Sequence, residues 1–188
     1  MLVLASKSPR RQQILRDAGI PFVVRSGDVP EERQPHELPS EYVKRLATQK
    51  ACSVPIHAGE VVLGADTVVV VDGLVLEKPR DNADALRMLG LLSGREHEVV
   101  TGICLRSETG TIVDTAVTRV RFVPLTREEM EAYVASGEPM DKAGAYAIQG
   151  LAAKFVDRIE GCYFNVMGLP VSLVYRHWKE MVSHIFAP

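Results

Sequence analysis

Val61-Val62-Leu63-Gly64-Ala65-Asp66-Thr67-Val68-Val69-Val70-Val71-Asp72-Gly73-Leu74-Val75-Leu76 is the stretch on which the fold turns. Val61 to Leu63 reads as a buried strand that ends at Gly64-Ala65-Asp66-Thr67, and a second apolar run, Val68 to Val71, follows at once. Asp72-Gly73 then supplies a hairpin turn whose twist suits the strands on either side, and Leu74 to Leu76 returns. Asp66 is the strongest single candidate, a carboxylate at the edge of this apolar core. Burying a charge without a partner is costly, so Asp66 is either paired within the Gly64 to Val68 turn or functional.

Working outward toward the N-terminus, Met1 to Ala5 is a second apolar strand, followed by Ser6-Lys7-Ser8-Pro9-Arg10-Arg11. Ser8 before Pro9 is an N-cap ahead of a first-turn proline. Ile14, Leu15 and Ala18 give the helix its apolar face, and Gly19 ends it. Phe22 to Arg25 is a short strand. Gly27 to Pro39, with three prolines and Glu31-Glu32, is irregular. Ser40 is expected to cap the next helix, with its stripe through Val43, Leu46, Ala47 and Ala51.

In the other direction, Asp81 and Asp84 open a helix through Ala85, Leu86 and Leu89. His97 to Arg106 and Ile112 to Val123 are long, β-branched segments and form an antiparallel hairpin. Thr126 and Glu129 make a capping box for a helix that Gly137 to Pro139 breaks. Phe155 to Ile159 and Tyr163 to Val166 read as short strands. The last helix begins at Leu169 or Pro170, with Leu173, Val174 and Trp178 facing inward. The fold class is α/β with a mixed sheet flanked by helices, not the regular alternation of a parallel one. No repeat or low-complexity linker divides the chain, so residues 1–188 form a single domain.

The composition excludes several classes. Apolar residues make up 46%, too many for a disordered chain. A net charge of -2 argues against wholesale binding to nucleic acid. Cys52, Cys104 and Cys162 form no CxxC pair, which argues against a zinc knuckle and fits a reducing compartment. Pro9-Arg10-Arg11 interrupts the only N-terminal apolar segment, so it does not read as a signal peptide. No apolar run approaches a membrane span. A cytoplasmic location follows. There is no P-loop and no GxGxxG, and the histidines (His36, His57, His97, His177 and His184) have no metal-ligand spacing. Ser8 has no evident histidine partner, so a serine hydrolase reading is poor.

What remains is phosphate chemistry. Ser6, Lys7, Ser8, Arg10 and Arg11 crowd a strand-to-helix junction, where unpaired backbone N–H groups point outward and an anion can be gripped. Arg10, Arg11, Lys50 and Lys78 are candidate charge clamps; Pro79 restricts the backbone of Lys78 and can aim it. Lys50 is alternatively a solvated helix residue. Asp66 with Glu31 or Glu32 can supply oxygen ligands to a divalent cation, which lowers the pKa of a bound water. Thr67 and Gln149 are candidates for base recognition, because an amide offers both a donor and an acceptor; Gln149 is alternatively only a turn residue beside Gly150.

These residues lie in an order that resembles the Maf family of nucleotide pyrophosphatases. The resemblance runs through Leu4-Ala5-Ser6-Lys7-Ser8-Pro9-Arg10-Arg11, Glu31, Tyr42-Val43-Lys44-Arg45-Leu46-Ala47 with Lys50-Ala51, Gly64-Ala65-Asp66-Thr67-Val68-Val69 and Lys78-Pro79. It continues through Ser93-Gly94-Arg95-Glu96-His97-Glu98-Val99 with Thr101-Gly102, then Asp141-Lys142-Ala143-Gly144-Ala145-Tyr146 and Ile148-Gln149-Gly150. Gly161-Cys162-Tyr163, Asn165-Val166 and Gly168-Leu169-Pro170 complete it. Each motif is modest, and the ordered set is specific.

The resemblance implies hydrolysis of a nucleoside triphosphate to the monophosphate and pyrophosphate with a divalent metal (Mg²⁺, Mn²⁺ or Co²⁺). It implies house-cleaning of the nucleotide pool and a link to septum formation. Thr67 and the glutamine of Ile148-Gln149-Gly150 resemble the branch acting on dTTP, UTP and some modified pyrimidine nucleotides. By matched position Asp66 is the acid/base residue. Arg10, Thr67 and Gln149 set specificity, and Glu31, Lys50 and Lys78 are further active-site residues. Where the family often carries an acidic pair, this chain has Pro30 before Glu31-Glu32, so Glu32 stays an alternative to Glu31. The implied fold is an elongated, two-lobed one around a central nucleotide cleft, shared with the inosine triphosphate pyrophosphatases and commonly a homodimer. A nucleotide-binding regulator of septum formation with little turnover, and a phosphomonoesterase, are the competing readings.

Overall fold

The computed structural model describes residues 1–185, without the side chains of His184 and Ile185. The end of the expected 1–188 domain and the side chain of His184 thus lie outside the described residues. The strands are β1 (Leu2–Leu4), β2 (Phe22–Val24), β3 (Val61–Val71), β4 (Leu74–Leu76), β5 (Glu96–Arg106), β6 (Thr111–Phe122) and β7 (Val156–Glu160). The helices are α1 (Pro9–Asp17), α2 (Pro39–Cys52), α3 (Asn82–Leu92), α4 (Arg127–Ala135), α5 (Tyr163–Val166) and α6 (Val171–Ile185). One mixed sheet runs in the order β2-β1-β3-β5-β6-β7, with β4 on β3. β1 pairs in parallel with β2 and with β3, whereas β3–β4 and β6–β7 are antiparallel. The expected mixed α/β class is therefore present.

The chain divides into two compact units. The first comprises Met1–Thr67, Thr101–Ala116 and the chain from Gly168 onward; the second comprises Val68–Val100 and Val117–Met167. β3, β5 and β6 each run through both.

In the first unit, Val3, Ala5, Ala47, Ala51, Val54, Val62 and Cys104 form a core between α2 and the sheet. Two glycines set how closely the helix lies. A Cβ on Gly64 would fall 2.1 Å from the Ala47 carbonyl oxygen, and one on Gly102 would fall 2.4 Å from that of Val43. Only glycine admits this approach.

In the second unit, α3 packs against α4. His97, Phe122 and Tyr146 meet edge to face, and the His97 ring nitrogen Nε2 lies 2.8 Å from the Tyr146 hydroxyl. Thr126 and Glu129 form the expected capping box on α4.

Three local expectations are corrected. Val61 to Val71 is one unbroken strand, not two runs separated by a turn. Asp66 sits in mid-strand because charged partners meet it there, so it does not end the strand. Tyr163 to Val166 is a short helix, not a strand. The Cys162 backbone is tied to Thr118 Oγ1, and the buried Asn165 amide reaches both Thr118 Oγ1 and the Val99 carbonyl, which curls the segment. Helix α2 starts at Pro39 with Leu38 as its cap, so Ser40 lies inside the helix. The hairpin of β5 and β6 is present; its four-residue connection, Ser107 to Gly110, admits only antiparallel pairing. On α6, Val174 is buried, while Leu173 and Trp178 are half-buried.

Burial holds the His97 imidazole at a pKa of about 4, below its ordinary 6.5. As pH falls below 6.5 the unfolded chain takes up a proton that the folded chain refuses until about pH 4. The His97 contribution to stability is thus constant above this window and declines within it, by about 3 kcal/mol in all. Urea unfolding at pH 7 and pH 4.5 measures this. His97→Gln, which does not titrate, is expected to flatten the decline; an identical pH dependence in both proteins would remove His97 as its source.

Candidate functional site

Strand β1 delivers the chain to Ser6, and α1 begins two residues beyond Lys7. The Ser8 hydroxyl accepts from the Arg11 backbone N–H at 3.5 Å, as expected of an N-cap, and Ser6 Oγ accepts from the Ser8 N–H at 3.2 Å. Arg10 is half-buried on the first turn of α1.

The Arg11 side chain runs inward and is only 9% exposed. Its Nε donates to the Gly168 carbonyl at 2.8 Å, and its Nη1 donates to the Ala65 carbonyl at 2.8 Å and to Ser6 Oγ at 3.3 Å. Its Nη2 donates to Thr67 Oγ1 at 3.2 Å. Burial lowers its pKa, while Asp66 and Glu31 act against that. The sequence suggests Arg11 as a substrate clamp; the fold makes it a strut joining Ser6 after β1, strand β3 and Gly168 ahead of α6. The Thr67 hydroxyl is held in the same network, 2.9 Å from Thr101 Oγ1 and 3.3 Å from the Gly168 carbonyl.

Lys50, on the last turn of α2, brings the acidic residues together. Its ammonium lies 2.6 Å from Asp66 Oδ1 and 2.5 Å from Glu31 Oε1. The Lys50 and Asp66 side chains are 14% and 10% exposed, so this is a largely desolvated pair, whereas Glu31 at 41% reaches in from solvent. Burial raises the Asp66 pKa above the usual carboxylate range; Lys50 and Arg11 oppose it, and Glu31 adds to it. Glu31, rather than Glu32, is the loop carboxylate that reaches Lys50.

Two further α2 residues hold that loop. The Tyr42 hydroxyl donates to the Glu31 carbonyl at 3.2 Å. Arg45 donates to the Glu32 carbonyl at 2.9 Å and makes a two-pronged pair with Glu37 at 2.7 and 2.8 Å. The Arg45 pair pulls the Glu37 pKa down. Sequence reading assigns Tyr42 and Arg45 no task. Their spacing on one helix, ahead of Lys50, was the available signal, but the loop they grip carries no periodicity of its own.

Lys78 and Gln149 belong to the second unit and are exposed there. Lys78 follows β4, where the Glu77 carbonyl accepts from the Gly144 N–H at 3.1 Å. Gln149 lies in a turn anchored by Glu138. That carboxylate accepts from the Tyr133 hydroxyl at 2.9 Å and from the Leu151 N–H at 3.1 Å, and the Tyr133 oxygen accepts from the Ala147 N–H at 3.2 Å. No local sequence pattern links Tyr133 and Glu138, because the helix break at Gly137 hides their partnership.

Among the described residues, no three His, Cys, Asp or Glu side chains are grouped as a metal site. The pair Asp66 and Glu31 nonetheless fits a hard divalent ion. Both are oxygen donors, and both already lie within 2.6 Å of one positive centre. Mg²⁺ is commonly held by one or two carboxylates, with water and substrate phosphate completing the shell.

The fold and site together define an α/β protein with a buried carboxylate–lysine centre at the end of a glycine-seated helix. A HAM1 protein from Coxiella burnetii shares the fold, with a TM-score of 0.50 at 17% identity, covering 95% of this chain and 98% of that one. The model of the Maf-like protein family matches residues 1–181, and the chain belongs to that family. It is 54% identical over 171 residues to a dTTP/UTP pyrophosphatase of Symbiobacterium thermophilum, covering 90% of this chain and 88% of the relative. It is 51% identical over 180 residues to a dTTP/UTP pyrophosphatase of Koribacter versatilis, covering 95% and 93%. Among the described residues no helix is long and apolar enough to cross a membrane.

Arg11→Lys tests the strut. A lysine cannot reproduce four bonds to three segments, and buried carbonyls lose their donors, each costing about 1–3 kcal/mol. Chemical denaturation is expected to show a loss of about 2–3 kcal/mol. An unchanged midpoint would mean that Arg11 holds nothing together.

Proposed function

We propose that the chain hydrolyses dTTP and UTP to the nucleoside monophosphate and pyrophosphate. One observation carries this: a buried, lysine-paired Asp66 in a chain about half identical to proteins named dTTP/UTP pyrophosphatase over nine-tenths or more of its length. Water attacks the α-phosphorus, and pyrophosphate leaves. Asp66, buried and 2.6 Å from Lys50, takes up the proton of the attacking water, either directly or through a cation that it holds. Lys50 lies beside it and stabilises negative charge as it grows on the phosphoryl oxygens. Ser8 and Arg10, at the start of α1, bind phosphate where the helix N-terminus favours an anion. Asp66 and Glu31 are the residues that would hold a divalent cation, which would lower the pKa of a water bound to it and offset phosphoryl charge.

Lys78, as a charge clamp, and Gln149, as a base-reading residue, enter through the family resemblance, as do metal dependence and a homodimer. Cytoplasmic residence is supported by the three free thiols, Cys52, Cys104 and Cys162.

Incubation with a panel of nucleoside triphosphates and Mg²⁺ or Mn²⁺, with separation of products, tests the reaction. Pyrophosphate from dTTP and UTP, abolished by a chelator, is expected. Orthophosphate alone would make the protein a phosphatase, and binding without product would make it a nucleotide-binding regulator. Asp66→Asn is expected to fold and to lose about 10²–10⁴-fold in turnover; unchanged turnover per folded molecule would reject Asp66.

Gln149→Ala tests base reading by competition among dTTP, UTP, CTP and GTP. A lost amide partner costs about 1–3 kcal/mol, or roughly five- to 160-fold in kcat/KM for dTTP. Equal slowing of all four nucleotides would leave Gln149 as a turn residue only.

A further inference from the structure

The two carboxylates that suit a divalent cation already hold a cation belonging to the chain. Lys50 Nζ touches Glu31 Oε1 and Asp66 Oδ1 at once, at 2.5 and 2.6 Å. Carboxylate oxygens are what a hard divalent ion seeks. An ammonium and a doubly charged ion on the same oxygens would repel each other strongly, most of all at the desolvated Asp66.

The surroundings make Lys50 the movable partner. Arg11, a buried cation near Asp66, has its donors on Gly168, Ala65, Ser6 and Thr67, and cannot swing to replace it. Lysine carries a point charge on a flexible stem and leaves no two-pronged geometry behind. At rest it also sits on the last turn of α2, where the helix dipole favours a cation.

We infer that Lys50 is the resident counter-ion of Glu31 and Asp66, and that a divalent cation reaches these carboxylates only by displacing its ammonium. A nucleotide's phosphate oxygens can accept the displaced ammonium, so metal and nucleotide bind more tightly together than apart. This nucleotide coupling rests on the function proposed above. The exchange at the carboxylates does not, and is measured without nucleotide.

The experiment titrates Mn²⁺ into the wild-type chain and into Lys50→Gln with no nucleotide present, following free Mn²⁺ by electron paramagnetic resonance. The variant lacks the competitor and is expected to bind Mn²⁺ at least about tenfold more tightly. Mn²⁺ is also expected to raise its Tm by more than that of the wild type. Equal or weaker binding by the variant, or no binding by either protein at millimolar Mn²⁺, would overturn the inference.

Should Lys50→Gln fail to fold, a crystal structure of the wild-type chain with Mn²⁺ decides. Mn²⁺ on Asp66 with Lys50 Nζ moved beyond hydrogen-bond distance supports displacement. Mn²⁺ bound there with Nζ still on the same carboxylate, or no Mn²⁺ at Asp66 and Glu31, overturns it. Failure of the proposed reaction would appear separately, as the absence of pyrophosphate from dTTP.

Discussion

Helix α2 rests on bare backbone where it crosses β3 and β5, and the candidate site depends on that contact. Gly64 and Gly102 face the Ala47 and Val43 carbonyls across gaps too small for any Cβ. Ala47 and Ala51 extend the close fit along the helix. At this height Lys50 comes within hydrogen-bond distance of Asp66, which lies two residues along β3 from Gly64. A larger residue at either glycine would push the helix outward. The penalty would be more than poor packing, because Asp66 would be left buried with a weaker partner.

The charges around Asp66 divide into a fixed part and a movable part. Arg11 is fixed: its planar guanidinium is bonded to three backbone or hydroxyl segments and cannot turn without breaking several bonds. Lys50 is movable: it is a point charge shared between a buried carboxylate and a loop carboxylate. Burial is the larger influence on Asp66 and leaves its pKa raised despite both cations. A carboxylate in this state is more basic than one in water, yet it stays close to positive charge.

The loop carrying Glu31 shows how a segment without regular structure can be held with precision. Tyr42 and Arg45 bond its backbone carbonyls at Glu31 and Glu32, and Glu37 completes the attachment. Helix α2 therefore supplies both the cation and the frame that brings Glu31 to it. The turn containing Gln149 is built on the same plan, with Glu138 and Tyr133 bonding its backbone and leaving the glutamine side chain exposed.

Much of this was legible in the sequence, because it depends on neighbours along the chain. The Ser8-Pro9 start of α1, the Asp72-Gly73 turn, the Asp81 cap and the Thr126–Glu129 box are all local. The hairpin of β5 and β6 follows from two β-branched runs and a short connection. Asp66 stood out as a carboxylate in an apolar run, and Glu31 and Lys50 were named by their motifs. Local pattern misled where a long-range partner decided the outcome. Asp66 looked like a strand end because nothing nearby in sequence neutralises it; Lys50 and Arg11, 16 and 55 residues away, do so. Tyr163 to Val166 looked extended because the Asn165–Thr118 tie, spanning 47 residues, is invisible to periodicity. The sequence by itself determined most of the element types, most of their ends and the identity of the charged groups, since these follow from short-range propensity and residue chemistry. Only the tertiary structure decided that Arg11 is a buried strut, that Glu31 rather than Glu32 meets Lys50, and that the two carboxylates share one ammonium. Those facts depend on how closely α2 seats on the sheet, and a distance between segments far apart in the chain is written in no local pattern.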